Sequence, residues 1–198
     1  MKLVVQNINI EVRGIFDEGM SDEEFFDFCK QNPVLRIERD NNKQIFIMAP
    51  TTTYTGGLNA DITTELNLWN RKSKKGKVFD SSTGFTLPDK AVFSPDASWI
   101  SNEKMNLLTE KQKEKFAPVC PDFVIELKSK SDNLDTLKNK MLKWIENGTR
   151  LAWLIDPTNK QVFIYRADDS IEIIKGFNNK LSGENILPGF KLDLQILL

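Results

Sequence analysis

The sequence predicts a mixed α/β or α+β protein built on a mixed central sheet flanked by helices. Three observations lead there. Residues 122–128 (DFVIELK) alternate as a strand does, with Phe123, Ile125 and Leu127 on one face and Val124, Glu126 and Lys128 on the other. Residues Leu134, Leu137, Met141, Trp144 and Ile145 then form a helical apolar stripe. Residues 151–155 (LAWLI) are a nearly unbroken apolar run, the pattern of a strand buried on both faces. Strand, helix and strand in this order imply a right-handed parallel crossover.

The other elements follow in chain order. Ser21-Asp22-Glu23-Glu24 reads as a capping box opening a short helix, with Phe25, Phe26 and Phe28 as its apolar side, and the helix should stop before Pro33. Residues 34–38 and 43–48 read as strands of a hairpin, turned by Asp40-Asn41-Asn42. Leu58, Ile62, Leu66 and Trp69 predict an amphipathic helix of about fifteen residues running into a basic stretch. Short β-like segments lie at 78–79, 84–87, 91–93 and 97–100, with turn residues such as Pro88-Asp89 between them. Residues 104–116 are polar helix and loop. Asp132 is placed to cap the helix of the crossover, and Gly148 stands where its C-terminus wants a left-handed residue. Residues 161–165 and 171–174 complete a β-rich C-terminal part.

At 198 residues the chain is expected to be one domain, residues 1–198, with a strand-and-helix extension over 1–33 and a core over 34–198. No run approaches the roughly 18–20 apolar residues of a membrane span. The N-terminal MKLVVQNINIEVRG turns polar too soon for a signal peptide. A cytoplasmic protein with no membrane partner is expected. The chain contains no histidine, which excludes histidine-bound zinc, Ser-His-Asp and Cys-His hydrolysis and HExxH proteases. Cys29 and Cys120 form no CxxC pair and read as plain buried or half-buried thiols. The net charge of −1 hides local clusters: 71–77 holds five cations and no anion, and 128–150 holds six basic and three acidic residues. Taken alone, such lysine runs are solvated faces; next to a polyanion they contact phosphate. Trp69, Trp99, Trp144 and Trp153 fit core packing better than base stacking.

Hydrolysis in such a chain falls to carboxylates, lysines, hydroxyls and a bound hard cation. Ser94-Pro95-Asp96-Ala97 and Glu126-Leu127-Lys128 supply the parts. Strand alternation sets Glu126 and Lys128 about 6–7 Å apart on one face. If Asp96 comes from a neighbouring strand, two carboxylates and an ammonium converge. Oxygen ligands suit Mg²⁺ or Mn²⁺, and such an ion neutralises phosphodiester charge and acidifies bound water. Standing alone, a Glu-x-Lys pair on a strand is ordinarily a solvent-facing ion pair. Glu65, on the amphipathic helix, is a further acid that fits a solvated position.

Pro95-Asp96 followed about thirty residues later by Glu126-Leu127-Lys128 resembles the PD-(D/E)xK signature of the restriction-endonuclease-like superfamily. The wider order resembles the Uma-type family of putative restriction endonucleases, formerly a domain of unknown function. It comprises Pro121-Asp122-Phe123-Val124-Ile125-Glu126, the helix with Lys140 and Trp144, Gly148, Ala152-Trp153-Leu154-Ile155-Asp156-Pro157 and Leu187-Pro188-Gly189-Phe190. The resemblance implies a restriction-endonuclease-like core and Mg²⁺-dependent (or Mn²⁺-dependent) DNA cleavage. Carried over by position, Asp96 and Glu126 hold the cation, Lys128 serves the attacking water, and Glu38 and Lys140 are auxiliary. Many members have a histidine soon after the hairpin, where this chain reads Thr53-Tyr54-Thr55-Gly56-Gly57. The expectation is a metal-dependent endodeoxyribonuclease acting on DNA as a homodimer. The alternatives are a nuclease-fold DNA-binding or complex-forming module without activity, and a β-rich scaffold or ligand-binding domain with Glu126 and Lys128 exposed and Asp96 elsewhere.

Overall fold

The computed structural model describes residues 2–5, 8–11 and 19–198. Of the extension expected over 1–33, residues 1, 6, 7 and 12–18 lie outside those described. Strands β1 (Lys2–Val5) and β2 (Ile8–Glu11) pair antiparallel. Helix α1 (Asp22–Gln31) begins at the expected capping box, with the Ser21 hydroxyl accepting from the Glu24 N–H and the Glu24 carboxylate accepting from the Ser21 N–H. Its Phe25 and Phe28 pack with Met20, Ile37 and Val92. Strands β3 (Arg36–Arg39) and β4 (Ile45–Met48) form the hairpin. Asp40 closes its turn by accepting from the Asn42 and Gln44 N–H groups.

Helix α2 (Thr53–Ser73) has 21 residues, more than the apolar spacing predicted. The Thr52 side chain accepts from the Thr55 N–H and starts the helix upstream of Gly56-Gly57, which lie inside it. The basic run is split between the last turn of α2, its left-handed cap Lys74, and strand β5 (Gly76–Asp80). Strands β6 (Phe85–Thr86), β7 (Val92–Phe93) and β8 (Ala97–Ser101) follow. Two short helices, α3 (Asn102–Asn106) and α4 (Glu110–Lys113), then lead to β9 (Phe123–Leu127). Helix α5 (Leu134–Glu146) is capped by Asn133, not Asp132; Asp132 instead accepts from the Ser129 N–H and closes the preceding turn. Gly148 has φ +104° after it, as expected. The chain ends in β10 (Leu151–Asp156), β11 (Gln161–Arg166), β12 (Ile171–Lys175), β13 (Lys180–Ser182), β14 (Lys191–Asp193) and a 3-10 turn over Leu194–Leu197.

The central sheet is mixed and six-stranded, in the order β12-β11-β10-β9-β8-β5. β9 and β10 run parallel across α5, as the crossover requires, and the other pairs are antiparallel. A second sheet, β4-β3-β7-β6, lies beside it. Alternation sorts β9 and β10 between two cores. Phe123, Ile125, Leu127, Leu151, Trp153 and Ile155 join α2 and the C-terminal strands on one face. Val124, Ala152 and Leu154 join Met141 and Trp144 of α5 on the other. Each large apolar side chain so enclosed stabilises the fold by about 1.5–3 kcal/mol before entropy is counted. Trp99, Trp144 and Trp153 are buried in these cores. Among the described residues no helix is long and apolar enough to cross a membrane.

Candidate active site

A cleft of about 650 Å³ opens where β9 ends and β8 begins. This is the carboxyl end of the parallel pair, the place where open α/β sheets bind ligands. Its lining includes Asp96, Glu126 and Lys140, the 129–132 loop after β9, and the first turn of α2.

Asp96 precedes β8 and is held at both oxygens: Oδ2 accepts from the Leu127 N–H at 2.7 Å and Oδ1 accepts from Asn59 Nδ2 at 2.9 Å. Two strands that pair at Ala97 and Ile125 thus bring together acids thirty positions apart in sequence. Glu126 faces the α5 side of β9. Its Oε1 accepts from Trp144 Nε1 at 3.0 Å and meets Lys140 Nζ at 3.0 Å. The Glu126 Oε2 oxygen makes no hydrogen bond with any described residue. Glu38, on β3, accepts from the Ser94 N–H at 2.7 Å and from Lys140 Nζ at 3.0 Å through the same Oε1. Lys140 therefore bridges two carboxylates whose side chains are only 6% and 7% exposed. Lys140 and Trp144, four residues apart, lie on one face of α5 and converge on Glu126.

Electrostatics follow from this enclosure. Burial pushes the Glu126 carboxyl up to about 7; the Lys140 charge opposes that, while Asp96 and Glu38 add to it. Burial also raises Asp96, against the pull of the Leu127 N–H, the Lys140 charge and Asn59. For Lys140, burial works against the charge, but the two glutamates outweigh it and hold the group as an ammonium well above its ordinary range. Both cysteines are free, and burial raises them to about 12 (Cys29) and about 11 (Cys120).

Of the five residues singled out from the sequence, Asp96, Glu126, Glu38 and Lys140 come together. Lys128 does not line the cleft: β9 stops at Leu127, and the Lys128 ammonium donates to the carbonyl of Ser129 next to it. Glu65 is not among the lining residues. The basic run lies at the C-terminal end of α2 and the start of β5, and none of its residues lines the cleft. Sequence reasoning missed Asn59 and treated Trp144 as core alone. The i,i+4 spacing of Lys140 and Trp144 was the available signal for the latter; a contact as distant as Asn59–Asp96 left none.

The donor set fits a hard divalent cation. Asp96 and Glu126 border one cleft, and Mg²⁺ commonly takes one or two carboxylates and fills its shell with water and phosphate. Among the described residues no group of three or more His, Cys, Asp or Glu side chains is arranged to hold a metal, so an all-protein cage is not what this cleft offers.

Comparison with known proteins accords with this architecture. The Uma2 family, described as "Putative restriction endonuclease", matches residues 22–195. Among solved structures, a protein of Anabaena variabilis described as a putative nuclease belonging to DUF820 is similar, with a TM-score of 0.74 and 17% identity. The match covers 90% of this chain and 97% of that one; at that identity it speaks for the fold. No curated protein matches. The family match begins at the first residue of α1, takes in all four clustered side chains and stops three residues short of the C-terminus, and this chain belongs to the Uma2 family of putative restriction endonucleases.

Proposed function

We propose that the protein is a metal-dependent endodeoxyribonuclease that hydrolyses DNA phosphodiesters by water attack. It acts in the cytoplasm as a homodimer, each chain a single domain with its core over 34–198. The observation that carries this reading is the convergence of Asp96, Glu126 and Lys140 in one cleft beside a free carboxylate oxygen. Asp96 and Glu126 are the residues that would hold Mg²⁺ or Mn²⁺. When bound, that ion supplies neutralisation of phosphate charge and a more acidic water.

The protein's own groups do the rest. The Leu127 N–H and Asn59 fix the Asp96 carboxylate, and Trp144 fixes Glu126. Lys140 stays protonated at neutral pH, so it serves as a fixed positive charge for the phosphate oxygens and the developing oxyanion. Glu38 holds that ammonium in place from β3. The geometry favours Lys140 over Lys128 for this work.

Plasmid relaxation and linearisation in Mg²⁺ or Mn²⁺ tests the reading. Wild type is expected to cut; Glu126→Ala, Asp96→Ala and Lys140→Ala are expected to lose cutting, and Lys128→Ala to keep it. Equal activity in wild type, Glu126→Ala and Asp96→Ala would remove the assigned roles. One observation favours a module without turnover: the Lys140 ammonium lies 3.0 Å from both Glu38 Oε1 and Glu126 Oε1, so a positive charge already stands between the two glutamates. That alternative predicts DNA retardation that weakens with salt and no metal-stimulated cleavage.

A further inference from the structure

We infer that Tyr54 is a base-stacking platform at the mouth of the cleft, and that the preferred substrate carries an unpaired nucleotide beside the cut. This rests on the nuclease reading and narrows its substrate.

Tyr54 stands on the first turn of α2, is 55% exposed and borders the same cleft as Asp96 and Glu126. Among the described residues its ring meets no other aromatic and its hydroxyl makes no hydrogen bond. More than half of this large side chain is therefore left to solvent in the cleft that Asp96, Glu126 and Lys140 line. Two cations share the rim. Lys130, in the loop after β9, is exposed and makes no ion pair among the described residues. Arg36 donates to the Ser81 carbonyl and likewise meets no carboxylate in an ion pair among the described residues. An aromatic face in a cleft that also carries cations is how proteins hold single strands: the cations track the backbone and the ring stacks on a base.

The form of DNA follows from the stacking face. Glu126 and Glu38 are recessed, with side chains only 6–7% exposed. A cleft of about 650 Å³ falls within the range of pockets that take one small molecule, about 300–1,000 Å³. That volume accommodates a nucleotide unit. A base can lie on Tyr54 only when one of its faces is free, as in a single strand, a strand end, a bubble or an extruded nucleotide.

The test measures binding by fluorescence anisotropy in EDTA at fixed salt. It compares a single strand, the blunt duplex of the same sequence and that duplex with a central bubble, using wild type and Tyr54→Ala, Tyr54→Phe and Tyr54→Trp. Wild type is expected to prefer the single strand and the bubble. Tyr54→Ala is expected to lose about ten-fold on both and little on the blunt duplex, while Phe and Trp retain wild-type binding. Equal single-strand affinity for wild type and Tyr54→Ala, or a Phe variant as weak as Ala, would overturn the inference. If wild type cuts plasmid yet binds blunt duplex as tightly as single strand, the inference falls and the nuclease reading stands. If wild type neither binds nor cuts DNA, both fall.

Discussion

Replacing Glu126 with Gln should stabilise the protein at neutral and alkaline pH while abolishing metal-dependent cleavage. The unfolded chain releases the Glu126 proton near 4.5, and the folded chain releases it near 7. A carboxyl raised by folding gives its full contribution below 4.5 and loses it as pH climbs through about 7. At about 1.36 kcal/mol for each pH unit that separates the two midpoints, the loss is about 3 kcal/mol. The substituted amide carries no such proton, and its oxygen can still accept from Trp144 Nε1. Equilibrium urea unfolding, followed by tryptophan fluorescence in EDTA from pH 4 to 8.5, reads the difference between the two proteins. Groups common to both cancel. The variant should gain about two orders of magnitude in its folding constant relative to wild type across that window. Adding Mg²⁺ at pH 8.5 should restore wild type and leave the variant unmoved, because a cation bound only by the folded form stabilises it by mass action. Parallel stability curves across the whole range would refute the assignment of a buried carboxyl that keeps its proton to neutral pH at this position.

Lys140→Met should cost about 3–5 kcal/mol, since it strands two enclosed carboxylates; changing Glu38 and Glu126 to Gln in the same chain should recover most of it, as chemical unfolding will report. Gly76→Ala should lower stability by about 1–3 kcal/mol, because a Cβ there would sit 2.1 Å from the Ile100 carbonyl oxygen and 2.6 Å from the Trp99 ring; a shift in the urea midpoint checks it.

Periodicity carried most of the architecture. Residues 122–155 were legible because each element there is buried, and burial leaves an alternating or helical stripe that composition cannot hide. The hairpin and the capping box were legible because their hydrogen bonds are local. What escaped was either polar and long-range or decided by competition between neighbours. Helix α2 starts at Thr53 because Thr52 offers a cap, and that outweighs the low helix propensity of Gly56 and Gly57. The C-terminal strands β13 and β14 are three residues each, too short for a period to register. Alternation assigned Lys128 to the face of Glu126, but the strand ends one residue before it, so its side chain is free to turn to Ser129. The ammonium that meets Glu126 comes from a helix on a later turn of the crossover. The carboxylates were readable as a spaced motif; Asn59 was not, since its bond to Asp96 spans 37 positions that no local pattern records, and Trp144 was marked only by its spacing from Lys140 on one helix face.

Glu38 arrives on β3 of the four-stranded sheet, whereas Glu126 belongs to β9 of the six-stranded one and Asp96 leads into its β8. Two bonds clasp them, from the Ser94 N–H and from Lys140. A slip of about one ångström between the layers would carry Glu38 beyond bonding reach of Lys140, with every helix still wound. The meeting of Glu38 with Lys140 thus depends on the alignment of two sheets, and it would be lost to a shear far smaller than unfolding demands.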